Sequence, residues 1–324
     1  MTGERPVVSI ITANYNGARD LSEAIQSVLA QTLTSLEMIV VDDASTDASA
    51  ALVEEAAALD RRLRLIVQPR NAGPGAARNR GIADARGRYL AVFDSDDLMA
   101  PERLARLVQR AEADGADMVA DNLLAFESAA PRGGRPFLPG KAFAAPRWIT
   151  LADVIASSRM YSRAPGLGYL KPLIRAEALR ASGVRYDETL RIGEDYDLLL
   201  RLLAKGLRLR LEPACLYRYR RHSGSISHAL GRDHLEAMLR ADAAFEAQAP
   251  DLPPAARRAQ TARRRSIERA LAYDEIIQRL KRGDLAGGLA KAAGAPAVWP
   301  LLTMPVTARV KRLAARLQPQ AQTA

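Results

Sequence analysis

At Asp94-Ser95-Asp96-Asp97 three carboxylates fall directly after an apolar run, Tyr89 to Phe93 (YLAVF), and no other feature limits so sharply what this chain can fold into. A short, nearly unbroken apolar run reads as a strand buried on both faces, the habit of parallel sheets covered by helices. In open sheets of that kind ligands bind beyond the carboxyl ends of the strands. The arrangement recurs upstream, where Asp42-Asp43 follow Leu36 to Val41 (LEMIVV), so two strand ends present acids toward one crevice. Crowded carboxylates repel one another and imply a compensating cation. Hard oxygen ligands suit Mg2+ or Mn2+ bound together with a diphosphate. A helix N-cap accounts for one such Asp, not for three.

The flanking pattern supports the same sheet. Val7 to Ala13 (VVSIITA) reads as a buried strand, and Leu21, Ala24, Ile25, Val28 and Leu29 recur at helical spacing before LEMIVV, which makes a strand-helix-strand crossover. Helix is expected over 48–59 and 76–85 with a strand at Leu63 to Val67 between them, so the first hundred residues alternate as a doubly wound α/β domain does. A helix is expected over Pro101 to Ala113 and a strand over Asp117 to Leu124. Residues 128–146, rich in Pro and Gly, read as a loop insertion, with a helix at Glu194 to Lys205 and separate strands at Leu207 to Leu211 and Cys215 to Tyr219 further on. From about Ala229 the strand pattern stops and Ala, Arg and Leu dominate. The expected division is a catalytic unit over residues 1–228 and a basic helical appendage over 229–324.

Composition excludes several classes. The single cysteine, Cys215, rules out an internal disulfide and a thiolate metal cluster. No apolar run approaches the ~20 residues that cross a bilayer; the longest, Ala292 to Met304, is broken by Gly294, Pro296 and Pro300. The opening residues lack the apolar core of a secretory signal, so a cytoplasmic protein is expected. The net charge is +10, and from Ala229 onward 16 basic side chains face 9 acidic ones. Aromatic residues make up only 5% and do not interleave with the basic clusters, which argues against nucleic acid as the partner. Val306, Val310, Leu313 and Leu317 share one helical face with Arg309, Lys311, Arg312 and Arg316 around it. That pattern fits an anionic membrane interface, or equally a helix packed on the catalytic unit with its arginines solvated.

Two further motifs bear on chemistry. Asn71-Ala72-Gly73-Pro74-Gly75 is a Gly-rich turn opening a helix that carries Arg78 and Arg80, an arrangement able to bring donors to an anion, although most such turns are simply turns. Gly193-Glu194-Asp195-Tyr196-Asp197 opens an amphipathic helix. Its acids either complement the helix dipole or supply a general base.

These strings occur together in a known order. Val8-Ser9-Ile10-Ile11-Thr12-Ala13-Asn14-Tyr15-Asn16, Val40-Val41-Asp42-Asp43-Ala44-Ser45-Thr46-Asp47, Ala77-Arg78-Asn79, Asp94-Ser95-Asp96-Asp97 and Gly193-Glu194-Asp195 resemble the family 2 inverting glycosyltransferases of GT-A fold, over about residues 7–225. The resemblance implies a Rossmann-like α/β fold with a mixed, mostly parallel sheet flanked by helices and followed by the α-helical appendage. It implies that Ala13 and Tyr15 line a nucleoside pocket, that Asp43 receives the uracil, that Arg78 approaches the base or phosphates and that Asp94 contacts ribose or sugar. By the same resemblance Asp96 is a ligand of Mn2+ or Mg2+ and Asp195 is the catalytic base with Glu194 as its alternate; Asp97, ahead of the Pro-Glu helix start, is left as a helix cap by its position alone.

The Gln-x-x-Arg-Trp motif of processive members is absent, and Tyr217-Arg218-Tyr219-Arg220-Arg221-His222 stands in the comparable region, with His222 a further candidate near metal or diphosphate. Leu167 to Arg175 and Arg185-Tyr186-Asp187-Glu188 resemble bacterial succinoglycan-type glucosyltransferases. The expectation is a nonprocessive hexosyltransferase, UDP-glucose its first donor candidate, acting on a lipid-linked or polysaccharide hydroxyl, peripheral on the inner membrane face if the tail binds lipid. A nicotinamide oxidoreductase would need Gly-x-Gly-x-x-Gly after the first strand, where Asn14-Tyr15-Asn16-Gly17 stands instead. The remaining alternative is a noncatalytic scaffold or nucleic-acid-binding module with a transferase-like fold.

Overall fold

The apolar run Val8–Asn14 forms β1 in the interior of the sheet, where every residue but Ala13 is buried. The computed structural model describes residues 5–127, 133–162, 165–221 and 230–302. After β1 come α1 (Ala18–Leu29), β2 (Leu36–Asp42), α2 (Ser49–Leu59), β3 (Leu63–Val67), α3 (Pro74–Asp84), β4 (Tyr89–Val92), β5 (Leu98–Met99) and α4 (Arg103–Asp114). The middle of the chain gives β6 (Met118–Glu127), β7 (Arg135–Pro136), β8 (Arg147–Ile149), α5 (Leu151–Ser157), β9 (Leu173–Arg175), α6 (Ala176–Ser182), α7 (Glu194–Ala204) and β10 (Leu209–Arg221). Four helices follow: α8 (Arg232–Gln248), α9 (Pro254–Lys281), α10 (Leu285–Ala293) and α11 (Trp299–Leu302).

One mixed sheet runs in the order β3-β2-β1-β4-β9-β6-β10-β5, with β7 on β6 and β8 on β10. Strands β3, β2, β1 and β4 are parallel, β9 lies antiparallel between β4 and β6, and β6 and β10 are parallel to each other. The chain leaves β1 toward β2 and β3, then returns to place β4 on β1's other side. That reversal makes β1/β4 a topological switch point, where a crevice opens beyond the strand ends. Asn14 is level with Asp42, and Ile11 is level with Val92, so the residues after β1, β2 and β4 converge there.

Helix packing follows from small residues and apolar stripes. Leu21, Ala24, Ile25 and Val28 of α1 are buried as their spacing predicts. Gly81 lets α3 lie close on the sheet, because a Cβ there would meet Ile11 and Val41. The strands expected separately at 207–211 and 215–219 are one strand, β10, whose register slips around residues 212–217. Pro213 sits there without an N–H to donate, and a bulge absorbs it. The described part of the 128–146 insertion is tied down: β7 pairs with β6, and the Asn122 amide exchanges hydrogen bonds with Leu138 N (2.9 Å) and O (3.0 Å).

The C-terminal helices are fastened to the sheet unit. Phe245, Leu252 and Ala256 join the main core, while Leu235, Met238, Ile267 and Ala270 form a second cluster and Ile276, Val298 and Leu301 a third. Arg263 of α9 forms a buried pair with Asp242 of α8 at 3.0 Å and lies 3.9 Å over the Tyr196 ring of α7. Among the described residues no helix is long and apolar enough to cross a membrane. The 306–317 face and His222 lie outside the described residues.

Candidate active site

The strand ends place the acids, and each then finds a different environment. Asp42, level with Asn14, accepts the Asn14 amide at 2.9 Å and the Ser45 hydroxyl at 2.6 Å, so it latches β1 to β2. Asp43 accepts Gln68 Nε2 (2.6 Å), Ala72 N (2.8 Å) and Gly73 N (2.7 Å), which binds the Gly-rich turn to the end of β2. Gly73 has φ of 96°, a left-handed conformation that favours glycine, and Arg191 fills the space a Cβ would need. Tyr15 stands 53% exposed at the crevice mouth beside the partly buried Ala13.

Arg78 is drawn inward by α3, whose Gly75, Ala76 and Ala77 let the helix sit deep, and it is only 5% exposed. Its guanidinium contacts Asp94 (2.9 Å), Glu194 (2.5 Å) and Asp195 (3.2 Å). Lys171, just before β9, reaches Asp94 and Asp195 at 2.6 Å each. The Tyr186 hydroxyl donates to Asp195 Oδ1 at 3.0 Å. Acids 94 and 195, a hundred residues apart in sequence, are thus held by the same two cations. Of the first-turn acids of α7, Asp197 pairs within its own helix with Arg201, whereas Glu194 and Asp195 turn to the crevice. Complementing the helix dipole does not require that orientation.

The charges settle accordingly. Burial alone would raise the Asp195 carboxyl, but Arg78 and Lys171 outweigh it, with Lys171 and Tyr186 hydrogen-bonded, and bring it to about 2. Glu194 is raised, by burial first and by its neighbour Asp195, against the pull of Arg78. Burial opposes the Lys171 charge, yet Asp195 and Asp94 raise its pKa. Asp195 and Lys171 are therefore both ionised at neutral pH.

Asp97 is not a helix cap, because α4 begins only at Arg103. Its buried carboxylate accepts the Tyr217 hydroxyl and the Arg220 N–H, both at 2.7 Å, and so ties the acidic loop to β10. Burial, then the charges of Asp96 and Asp94, push its pKa well above the carboxylate range. Asp96 is partly exposed; its carbonyl accepts Arg220 Nε at 2.6 Å, and its charge raises Arg19, though less than Asp20 does. Among the described residues no group of three or more His, Cys, Asp or Glu side chains is arranged to hold a metal ion. The partly exposed Asp96 carboxylate, close enough to Asp97 for its charge to add to the effect of burial there, fits a cation of the Mg2+ or Mn2+ type held by a single carboxylate together with substrate phosphates.

Sequence reasoning assigned no role to Lys171 or Tyr186. A usable signal existed for the first: Lys171 interrupts the otherwise apolar stretch from Leu167 to Ile174, and a buried cation needs an acid partner.

The fold is that of GT-A transferases. An S. aureus TarS 1-349 structure in complex with UDP-GlcNAc superposes with a TM-score of 0.61 over 82% of this chain and 70% of that one, at 22% identity. A mannosyltransferase from Pyrobaculum calidifontis in complex with GDP-Man and Mn2+ gives 0.61 over 95% and 81%, at 18% identity. Residues 9–165 match the family Glycosyl transferase family 2. The succinoglycan biosynthesis protein ExoO of Rhizobium meliloti (strain 1021) is 43% identical over 311 residues, covering 96% of this chain and 88% of that protein. This chain belongs to glycosyl transferase family 2.

Proposed function

We propose that the protein is a nonprocessive, inverting, metal-dependent hexosyltransferase of bacterial exopolysaccharide biosynthesis. It moves a sugar, glucose in the first instance, from a UDP-sugar to a hydroxyl of a lipid-linked or polysaccharide acceptor, on the cytoplasmic side of the membrane. The observation that carries this reading is the ionised Asp195 at the β1/β4 crevice, joined to Asp94 through Lys171. The polysaccharide named for the Rhizobium relative and the sugar nucleotides of the two superposed structures support the substrate class.

The chain's own residues divide the work. Tyr15 and Ala13 line the nucleoside side, and Asp43, with three of its roughly four acceptor positions used by the 68–73 turn, keeps one for a base N–H. Asp94 meets the donor sugar or ribose. Asp96, with His222 as a second candidate ligand, would hold Mn2+ or Mg2+, which when bound supplies charge stabilisation for the departing diphosphate.

Asp195 accepts the acceptor hydroxyl's proton as that oxygen bonds to the anomeric carbon from the face opposite the breaking bond to UDP. At about 2 its carboxylate is a weak base, so the proton moves late, when bond formation has acidified the hydroxyl. Lys171, Tyr186 and Arg78 fix its direction. Arg78, which the resemblance puts at the base or phosphates, contacts Asp94, Glu194 and Asp195, and those contacts support a further role for it in aligning Asp94 with the Glu194–Asp195 pair.

A donor screen that measures released UDP, GDP or TDP with bacterial membrane extract as acceptor tests the reading, with the anomeric configuration of the product read by NMR. Release of UDP and an inverted product are expected. Retention of configuration, or release of no nucleotide from any donor with Mn2+ present, would sink it.

A further inference from the structure

Away from the crevice, the 159–162 loop and α9 flank an open cavity of about 420 Å3 whose lining includes Arg159, Tyr161, Arg265, Arg269 and Ala297. Arg265 and Arg269 stand one helical turn apart, where like charges repel. None of the three arginines has a carboxylate within ion-pair distance among the described residues, although neighbours on the same helix do: Arg263 has Asp242, Arg264 has Glu246 and Arg279 has Glu275. Asp274, the acid that acts on Tyr161 alongside Arg269, is paired with Arg232 at 3.7 Å. The Arg269 Nε is buried with no hydrogen-bond partner. That one buried donor calls for a ligand or water, while Arg159, whose Nε donates to Ala156 O at 3.2 Å, and Arg265 are exposed beside it.

From Ala297 on the cavity wall the chain leads to Trp299, which is tied back to an exposed apolar face of α10. Leu285 and Leu289, at i and i+4 of α10, are 62% and 68% exposed, and Trp299 is 55% exposed. The Trp299 indole donates to Ala292 O at 2.7 Å, which holds the ring at the end of that same helical face, and Ala297 on the cavity wall is two residues before it. Exposed leucines, an anchored indole and arginines without carboxylate partners, joined through Ala297 and Trp299, match the chemistry of a membrane interface, where acyl chains lie beside phosphate. Nucleic acid would satisfy the arginines but leave the leucines in water.

We propose that this cavity is a binding site for the phosphate-bearing head of a membrane lipid, with Leu285, Leu289 and Trp299 set into the lipid beside it. The phosphate can belong to a bulk anionic phospholipid or to the diphosphate of a lipid-linked acceptor; the charge requirement is the same. Binding of a bulk phospholipid does not depend on the transfer reaction, whereas the acceptor diphosphate as the source rests on the function proposed above. The site is carried on α9, whose Arg263 lies over the ring of Tyr196, the residue that follows Asp195.

Full-length protein is tested by flotation with vesicles of phosphatidylcholine alone, with added phosphatidylglycerol, and with added polyprenyl diphosphate. Each arginine at such a surface contributes about fivefold, so R265Q/R269Q should weaken binding to charged vesicles roughly twenty-fold. L285S/L289S should weaken it as well, with circular dichroism and transfer to a water-soluble acceptor unchanged in both. Loss confined to the diphosphate vesicles identifies the carrier lipid, and equal loss with phosphatidylglycerol identifies the bulk headgroup. Vesicle binding by R265Q/R269Q equal to the parent overturns the proposal. So does unchanged vesicle binding by L285S/L289S.

Discussion

Two buried charge systems adjoin in this protein and are built on opposite rules. Arg103 and Asp121 meet at 2.8 Å with both side chains fully buried; Arg103 also donates to Lys171 O at 2.7 Å and lies 4.9 Å over the Tyr217 ring. One cation faces one anion, and nothing remains for a ligand. In the crevice, Arg78 and Lys171 face Asp94, Glu194 and Asp195, so carboxylates outnumber cations, and Asp94 and Asp195 keep 24% and 17% of their side chains exposed. The closed pair locks α4 to β6 and the strand end before β9. The open network sets three carboxyl groups against two cations and leaves Asp94 and Asp195 partly exposed to a ligand.

The contrast can be broken experimentally. The largest effect is expected from Asp195→Asn, which should lower transfer by ~10²–10⁴-fold while leaving UDP-sugar binding by calorimetry intact; near-normal turnover would remove Asp195 from the chemistry. Asp96→Ala should abolish the stimulation of UDP release by Mn2+, and a variant still stimulated at the same metal concentration would place the cation elsewhere. For the closed pair, Arg103→Met alone leaves a buried carboxylate unpaired and should destabilise the fold by ~3–5 kcal/mol in urea titration. Arg103→Met with Asp121→Leu should recover much of that loss, and no recovery would mean that the pair is not the closed unit described.

Smaller effects separate the two systems by pH. The folded pKa of Asp195, about 2, lies below the value of about 4 for an unfolded Asp. Its contribution to stability is therefore fully present above about pH 4 and lost as pH falls through about 2. Lys171→Met removes one of the two cations, so this loss should begin at higher pH, and the acid limb of the rate profile should rise with it. Thermal melts and rates between pH 7 and 3 read both. A Lys171→Met profile superimposable on the parent would show that Arg78 alone holds Asp195 ionised.

How much was legible beforehand differs between these systems for a physical reason. The acids at 42–43 and 94–97 could be read because they follow apolar strands, and strand ends in a parallel sheet are local features of sequence. Likewise the α1 face followed from spacing alone. Asp97 was misread as a cap because its partners, Tyr217 and Arg220, lie more than a hundred positions away and local pattern carries no trace of them. The two-strand reading of 207–219 failed because Pro213 looks like a break, whereas the neighbouring strands continue the ladder around it.

By itself the sequence determined the class of fold, the crevice and the list of acids, since hydrophobic period and motif order are one-dimensional properties. Which acid is bridged, which is buried and which is left facing solvent was decided by tertiary structure. Arg78 reaches Glu194 across 116 positions, and Lys171 reaches both Asp94 and Asp195. Burial strengthens charges that are paired and penalises those that are not, so the role of a carboxylate depends on neighbours that only the folded chain brings together.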